Sequence, residues 1–115
     1  MRPHTRRAIV YVAARLTGGQ PGPVYDSGAT RHFRFSGSAD SRTCHVFDHE
    51  ERCFLSGSVP GLYHHGNRQH VTLRIRGTEF SGFDYDSRSH YSGSIRGRAA
   101  VVYDYEDARY HRYST

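Results

Sequence analysis

Five segments of this chain can be written one above another, and their repeat limits the fold more than any other feature. Val24-Tyr25-Asp26, Val46-Phe47-Asp48, Leu62-Tyr63-His64, Phe83-Asp84 and Val102-Tyr103-Asp104 come first. After four or five further residues they lead to His32-Phe33, Cys53-Phe54, His70-Val71, His90-Tyr91 and Arg109-Tyr110. The leading aromatic residues stand at 25, 47, 63, 83 and 103, a period close to 20. A unit that short cannot bury a core alone, so neighbouring units must pack together.

Each unit reads as a β-hairpin. The apolar residues are mostly Val, Tyr and Phe, and they alternate with polar ones. Val71, Leu73 and Ile75 alternate with Thr72, Arg74 and Arg76, which gives one core face and one face bearing two guanidiniums. A second element recurs as Phe35-Ser36-Gly37, Leu55-Ser56-Gly57, Phe80-Ser81-Gly82 and Tyr91-Ser92-Gly93. It reads as a strand end entering a turn. No segment shows a 3.6-residue apolar stripe. Ala8–Leu16 is the best helix candidate, yet Ile9-Val10-Tyr11-Val12 is β-branched and aromatic and is expected as a strand. Gly18–Pro23 is expected as a loop, and residues 1–7, with Arg2, Arg6 and Arg7, as a flexible basic tail.

The expected fold is a single all-β domain over residues 1–115, an antiparallel meander of about five hairpins and about nine to eleven short strands. A barrel, a sandwich or radially arranged hairpins all satisfy the pattern. Length agrees with one domain. Ile, Leu, Val and Phe make up only 21 of the 115 residues, so the nine Tyr must supply much of the buried apolar area. No apolar run approaches the roughly 20 residues of a membrane-spanning helix.

All 16 basic residues are Arg, which excludes lysine chemistry, and the formal net charge is +5. A basic surface favours polyanions. Arg34, Arg74, Arg76 and Arg112 stand among Tyr, Phe and His, the combination that binds single-stranded nucleic acid by stacking and phosphate contact. These four are the polyanion-binding candidates. The repeat also implies cross-turn structural pairs: Asp26/His32, Asp48/Cys53, His64/His70, Asp84/His90 and Asp104/Arg109. An Asp opposite His or Arg gives a charge-assisted hydrogen bond.

His64 and His70 are weak metal candidates that need an outside ligand; no zinc spacing is present. Cys44 and Cys53 are the only cysteines, and the turn alignment sets Cys53 opposite Asp48 and Cys44 near Gly57, so no disulfide is expected. No cofactor-binding or catalytic motif occurs. The expectation is a non-enzymatic cytoplasmic β-hairpin-repeat module for binding or self-assembly, its partner a protein or a second copy of itself. A nucleic-acid or polyanion binder is the alternative, and a carbohydrate-binding module the next.

Overall fold

The computed structural model describes residues 1–19 and 22–115. Gln20 and Pro21, part of the expected loop, lie outside the described residues. The fold is all-β with one helix, α1 (Pro3–Leu16). The strands are β1 (Val24–Asp26), β2 (Arg31–Phe33), β3 (Phe35–Ala39), β4 (Thr43–Asp48), β5 (Cys53–Ser58) and β6 (Gly61–His64). They continue as β7 (Gln69–Thr72), β8 (Arg74–Arg76), β9 (Glu79–Asp84), β10 (Ser89–Arg96), β11 (Ala99–Asp104) and β12 (Arg109–Ser114). All pairings among the described residues are antiparallel, in the order β2-β1-β12-β11-β10-β9-β7-β6-β5-β4-β3, with β8 also on β9. The two ends of that order, β2 and β3, are separated only by Arg34. One extended segment therefore pairs with β1 through its first half and β4 through its second, and the sheet returns on itself as a nearly closed barrel. Near-closure leaves little free strand edge, which protects a sheet protein from edge-to-edge aggregation.

Helix α1 fills the barrel. Its ten consecutive residues Thr5–Ala14 are all buried, which requires protein on every side. At 1.5 Å per residue the 14-residue helix is about 21 Å long, and the domain measures 29 × 28 × 27 Å. This corrects the expected strand over Ile9–Val12 and the expected basic tail over residues 1–7. A helix surrounded by sheet has no polar face, so it leaves no amphipathic stripe in the sequence. The β propensity of Ile9, Val10 and Val12 is overridden by their complete burial. Ile9, Val10, Val12 and Ala13 pack among Val24, Val46, Leu55, Leu62, Val71, Leu73, Phe80 and Val102 from the inner face of the sheet.

The Ser-Gly pairs are not strand ends. They lie inside β3, β5, β9 and β10. A Cβ on Gly82 would sit 1.9 Å from the Thr72 carbonyl oxygen, and one on Gly93 2.4 Å from Phe80 Cζ. The glycines are places where a neighbouring strand or a core ring lies too close for any side chain.

Candidate functional site

Five hairpin turns form one end of the barrel, and they are built alike. The register pairs Asp26 with Arg31, Asp48 with Cys53, His64 with Gln69, Asp84 with Ser89 and Asp104 with Arg109, leaving four residues in every turn. The last turn residue is left-handed each time: Thr30, Arg52, Arg68, Arg88 and Ala108 have φ of 54–56°. The first paired side chain caps the turn. Asp26 Oδ1 accepts from the Gly28 and Ala29 N–H groups, and Asp48 Oδ1 from those of Glu50 and Glu51. Asp84 and Asp104 accept from the Asp86 and Glu106 N–H groups. In the third turn His64 Nδ1 takes the same place, accepting from the Asn67 N–H at 3.1 Å. The next residue in each turn donates its N–H to the neighbouring hairpin: Ser27 to Arg112, His49 to Arg34, His65 to Phe54, Tyr85 to His70 and Tyr105 to His90.

This geometry corrects the expected cross-turn pairs. Asp48/Cys53 and Asp104/Arg109 are opposite one another in register, but His32, His70 and His90 lie opposite Tyr25, Tyr63 and Phe83 instead. A one-residue slip moves a side chain to the other face of the sheet. The Asp side chains and His64 point inward and are buried, while the aromatic residues and these histidines pair outside. His64 and His70 therefore sit on opposite faces and do not converge. Cys44 and Cys53 are both free; Cys44 lies opposite Gly57, and burial pushes its thiol up to about 12.

The inward carboxylates meet the start of α1. Arg6 Nη1 donates to Asp104 Oδ2 at 3.0 Å, and the Met1 ammonium lies 3.2 Å from the same oxygen and also contacts Glu106. Arg2 bonds Asp86 at 2.7 Å, and Arg7 bonds Asp26 at 3.3 Å. His4 meets Asn67 and Glu51, and Asn67 donates to Thr5. Residues 1–7 thus touch all five turns. No acidic residue stands in the first turn of the helix; the sheet supplies the negative charge that its dipole favours there. Asp104, Asp107 and His111 bring ligating atoms within 4.8 Å of one another, but the Asp104 carboxylate is already held by Arg6 and the ammonium.

These contacts sort the charge. Nine of the eleven carboxylates fall in or directly beside four of the five turns; only Asp40 and Glu79 lie elsewhere. Beyond the turns and residues 1–16, the chain carries Arg34, Arg42, Arg74, Arg76, Arg96, Arg98 and Arg112. Seven arginines therefore stand against two carboxylates outside the turns and residues 1–16.

An open trough of about 880 Å³ crosses β8–β12, with Arg74 and Arg76 in its lining. Its floor follows from register. One lateral row runs Arg74–Ser81–Ser92–Tyr103–Tyr110, and the next runs Arg76–Glu79–Ser94–Val101–Arg112. Successive strands lie about 4.8 Å apart, so each row spans about 19 Å. Small residues in the middle, Ser81, Ser92, Gly93 and Ser94, make the hollow. Arg74 and Arg76 form one wall, and Tyr103, Tyr105 and Tyr110 the other. Tyr103 meets Tyr105 and Tyr110 edge-on, with ring centroids 4.9 and 4.8 Å apart. Such packing leaves Tyr105 57% and Tyr110 68% exposed. A second recess of about 470 Å³ shares Arg74, Ser81, Ser92 and Tyr105 and adds Tyr85 and His90.

Of the polyanion candidates, Arg74 and Arg76 line the trough, and Arg112 ends its second row, opposite Val101. Arg34 stands apart at the β2–β3 junction. Sequence reasoning missed Tyr105, Ser81, Ser92, Ser94 and Glu79. The signal for Tyr105 was its place two residues after Tyr103, matched by Tyr85 after Phe83 and His65 after Tyr63.

No protein-family model, curated protein or solved structure matches this chain. No helix among the described residues is long and apolar enough to cross a membrane.

Proposed function

We propose that the chain is a binding module whose outer trough takes single-stranded nucleic acid. The observation that carries this reading is the composition of the two lateral rows: guanidiniums at the edges, hydroxyls in the floor and exposed tyrosine faces along one wall. Such a surface supplies phosphate contacts and stacking platforms together. The withdrawal of carboxylates into the turns adds a local positive field that draws a polyanion in. The trough is open and shallow, which suits a flexible strand more than an enclosed small molecule.

The test is fluorescence anisotropy with labelled single-stranded RNA and DNA at about 50 mM salt. The expected result is binding by the wild-type chain that weakens about tenfold or more in both R74A/R76A and Y105A/Y110A. An absence of binding, or binding untouched by both double variants, contradicts the proposal.

A further inference from the structure

Glu79 is the one carboxylate in the trough. It stands between Arg76 and Ser94 in the second lateral row and is exposed. Among the described residues its side chain takes part in no ion pair or hydrogen bond. Most other carboxylates outside the core are paired: Glu50 with Arg31, Asp86 with Arg2, Glu106 with the Met1 ammonium and Asp107 with His111. A free carboxylate in an anion-binding groove repels phosphate. It is useful there only if the ligand offers it a hydrogen-bond donor. A carboxylate accepts and never donates when ionised, so the donor must come from the ligand.

Arginines recognise phosphates, and tyrosine faces recognise bases. Base edges carry N–H donors in RNA and DNA alike, and between bases and phosphates lies the sugar. Deoxyribose offers no hydroxyl inside a strand, whereas ribose offers the 2′-OH, which is both donor and acceptor and is the group by which a protein tells RNA from DNA. Ser81, Ser92 and Ser94 surround Glu79 with further hydroxyls. Ribonucleic acid is the ligand class that adds a hydroxyl donor beside the phosphates. We infer that Glu79 is a specificity-determining residue that makes this trough select RNA over DNA by accepting a hydrogen bond from a ribose 2′-hydroxyl. The inference rests on the reading of the trough as a nucleic-acid groove.

The experiment compares labelled oligouridylate, oligodeoxyuridylate and 2′-O-methyl-oligouridylate, each of about eight nucleotides, on wild type, E79Q and E79A. The bases are identical, so only the 2′ position differs. Wild type is expected to bind the ribo-oligomer about tenfold more tightly than the other two, the size of one hydrogen bond to a charged group. In E79A the three affinities converge, with the deoxy-oligomer bound as well as by wild type or better because repulsion is relieved. E79Q keeps an acceptor and falls between. Glu79 is exposed, so both variants should keep the wild-type circular dichroism. Equal wild-type affinities for ribo- and deoxy-oligomers overturn the inference while leaving the groove reading intact. So does a preference that survives in E79A, or a 2′-O-methyl strand bound as tightly as the ribo-strand. Failure of all three oligomers to bind removes the groove reading itself.

Discussion

Arg6 Nη1 lies 3.0 Å from Asp104 Oδ2, joining the helix inside the barrel to the last hairpin turn, with both side chains almost fully excluded from water. Arg6 also donates to the Met1 carbonyl and the Tyr113 hydroxyl. Truncating one partner of such a pair strands the other charge in the interior. R6A and D104N are each expected to cost about 3–5 kcal/mol in urea unfolding. Removing the exposed Arg31–Glu50 pair with R31A should cost under about 1 kcal/mol. Equal effects in the buried and exposed cases would contradict the role given to the helix start.

Asp48 occupies the same turn position but fares differently. Its Oδ2 is buried without a hydrogen-bond partner, and burial raises its carboxyl above the usual range. D48N keeps the capping oxygen and removes a poorly compensated charge. Its unfolding free energy at pH 7 is expected to stay within about 1 kcal/mol of wild type or to rise. A loss as large as that of D104N would show that Asp48 is paired in solution.

His64 gives the fold a pH dependence. Burial, helped by the neighbouring His4, pushes its imidazole down to about 4. Its Nδ1 accepts a backbone N–H, which only the form without a proton on that nitrogen can do. The unfolded chain takes up this proton near pH 6.5 and the folded chain resists it. Stability from His64 is therefore intact above about pH 6.5, falls as pH drops toward 4, and levels off below that, a loss of up to about 3 kcal/mol. H64N keeps an acceptor but does not titrate. Urea midpoints from pH 7.5 to 4 should separate wild type from H64N only through this window; parallel curves would refute the assignment.

The strand glycines differ in what they protect. A Cβ at Gly82 meets the Thr72 carbonyl oxygen at 1.9 Å and the Tyr91 hydroxyl at 2.7 Å, where Tyr91 donates to Thr72 at 2.6 Å. G82A is expected to cost more than about 3 kcal/mol or to prevent folding. Gly77, with φ of 64° and open space around it, bears only the left-handed strain. G77A should cost about 1 kcal/mol by thermal unfolding. A mild G82A would mean that the strands can move apart at that crossing.

The hairpin repeat was legible because the outward aromatics and inward Asp residues recur at a fixed place in each turn. Register was legible only where the flanking residues left no choice, as in Phe47/Phe54 and Tyr103/Tyr110. The first, third and fourth turns mislead by one residue because the true partners of Asp26, His64 and Asp84 are Arg31, Gln69 and Ser89, which share no side-chain type, whereas the recurring histidines His32, His70 and His90 stand one position further on. The helix was hidden because burial on all sides erases the polar face that marks a helix in sequence. The trough was half visible. Arg74 and Arg76 show in the alternation of one strand, but the serines and tyrosines that complete it come from four others and the last turn. Only register brings those together.

The most direct test of the nucleic-acid reading is the slope of log K against log salt for a single-stranded RNA, measured between about 50 and 200 mM for wild type and R74A/R76A. Each phosphate contact to a single strand contributes about −0.7 to that slope. The trough predicts a steep wild-type slope that becomes shallower by about 1.4 when both arginines are removed. Identical slopes and affinities for the two proteins would show that the phosphates are held elsewhere, and a flat wild-type slope would show that no phosphates are held at all.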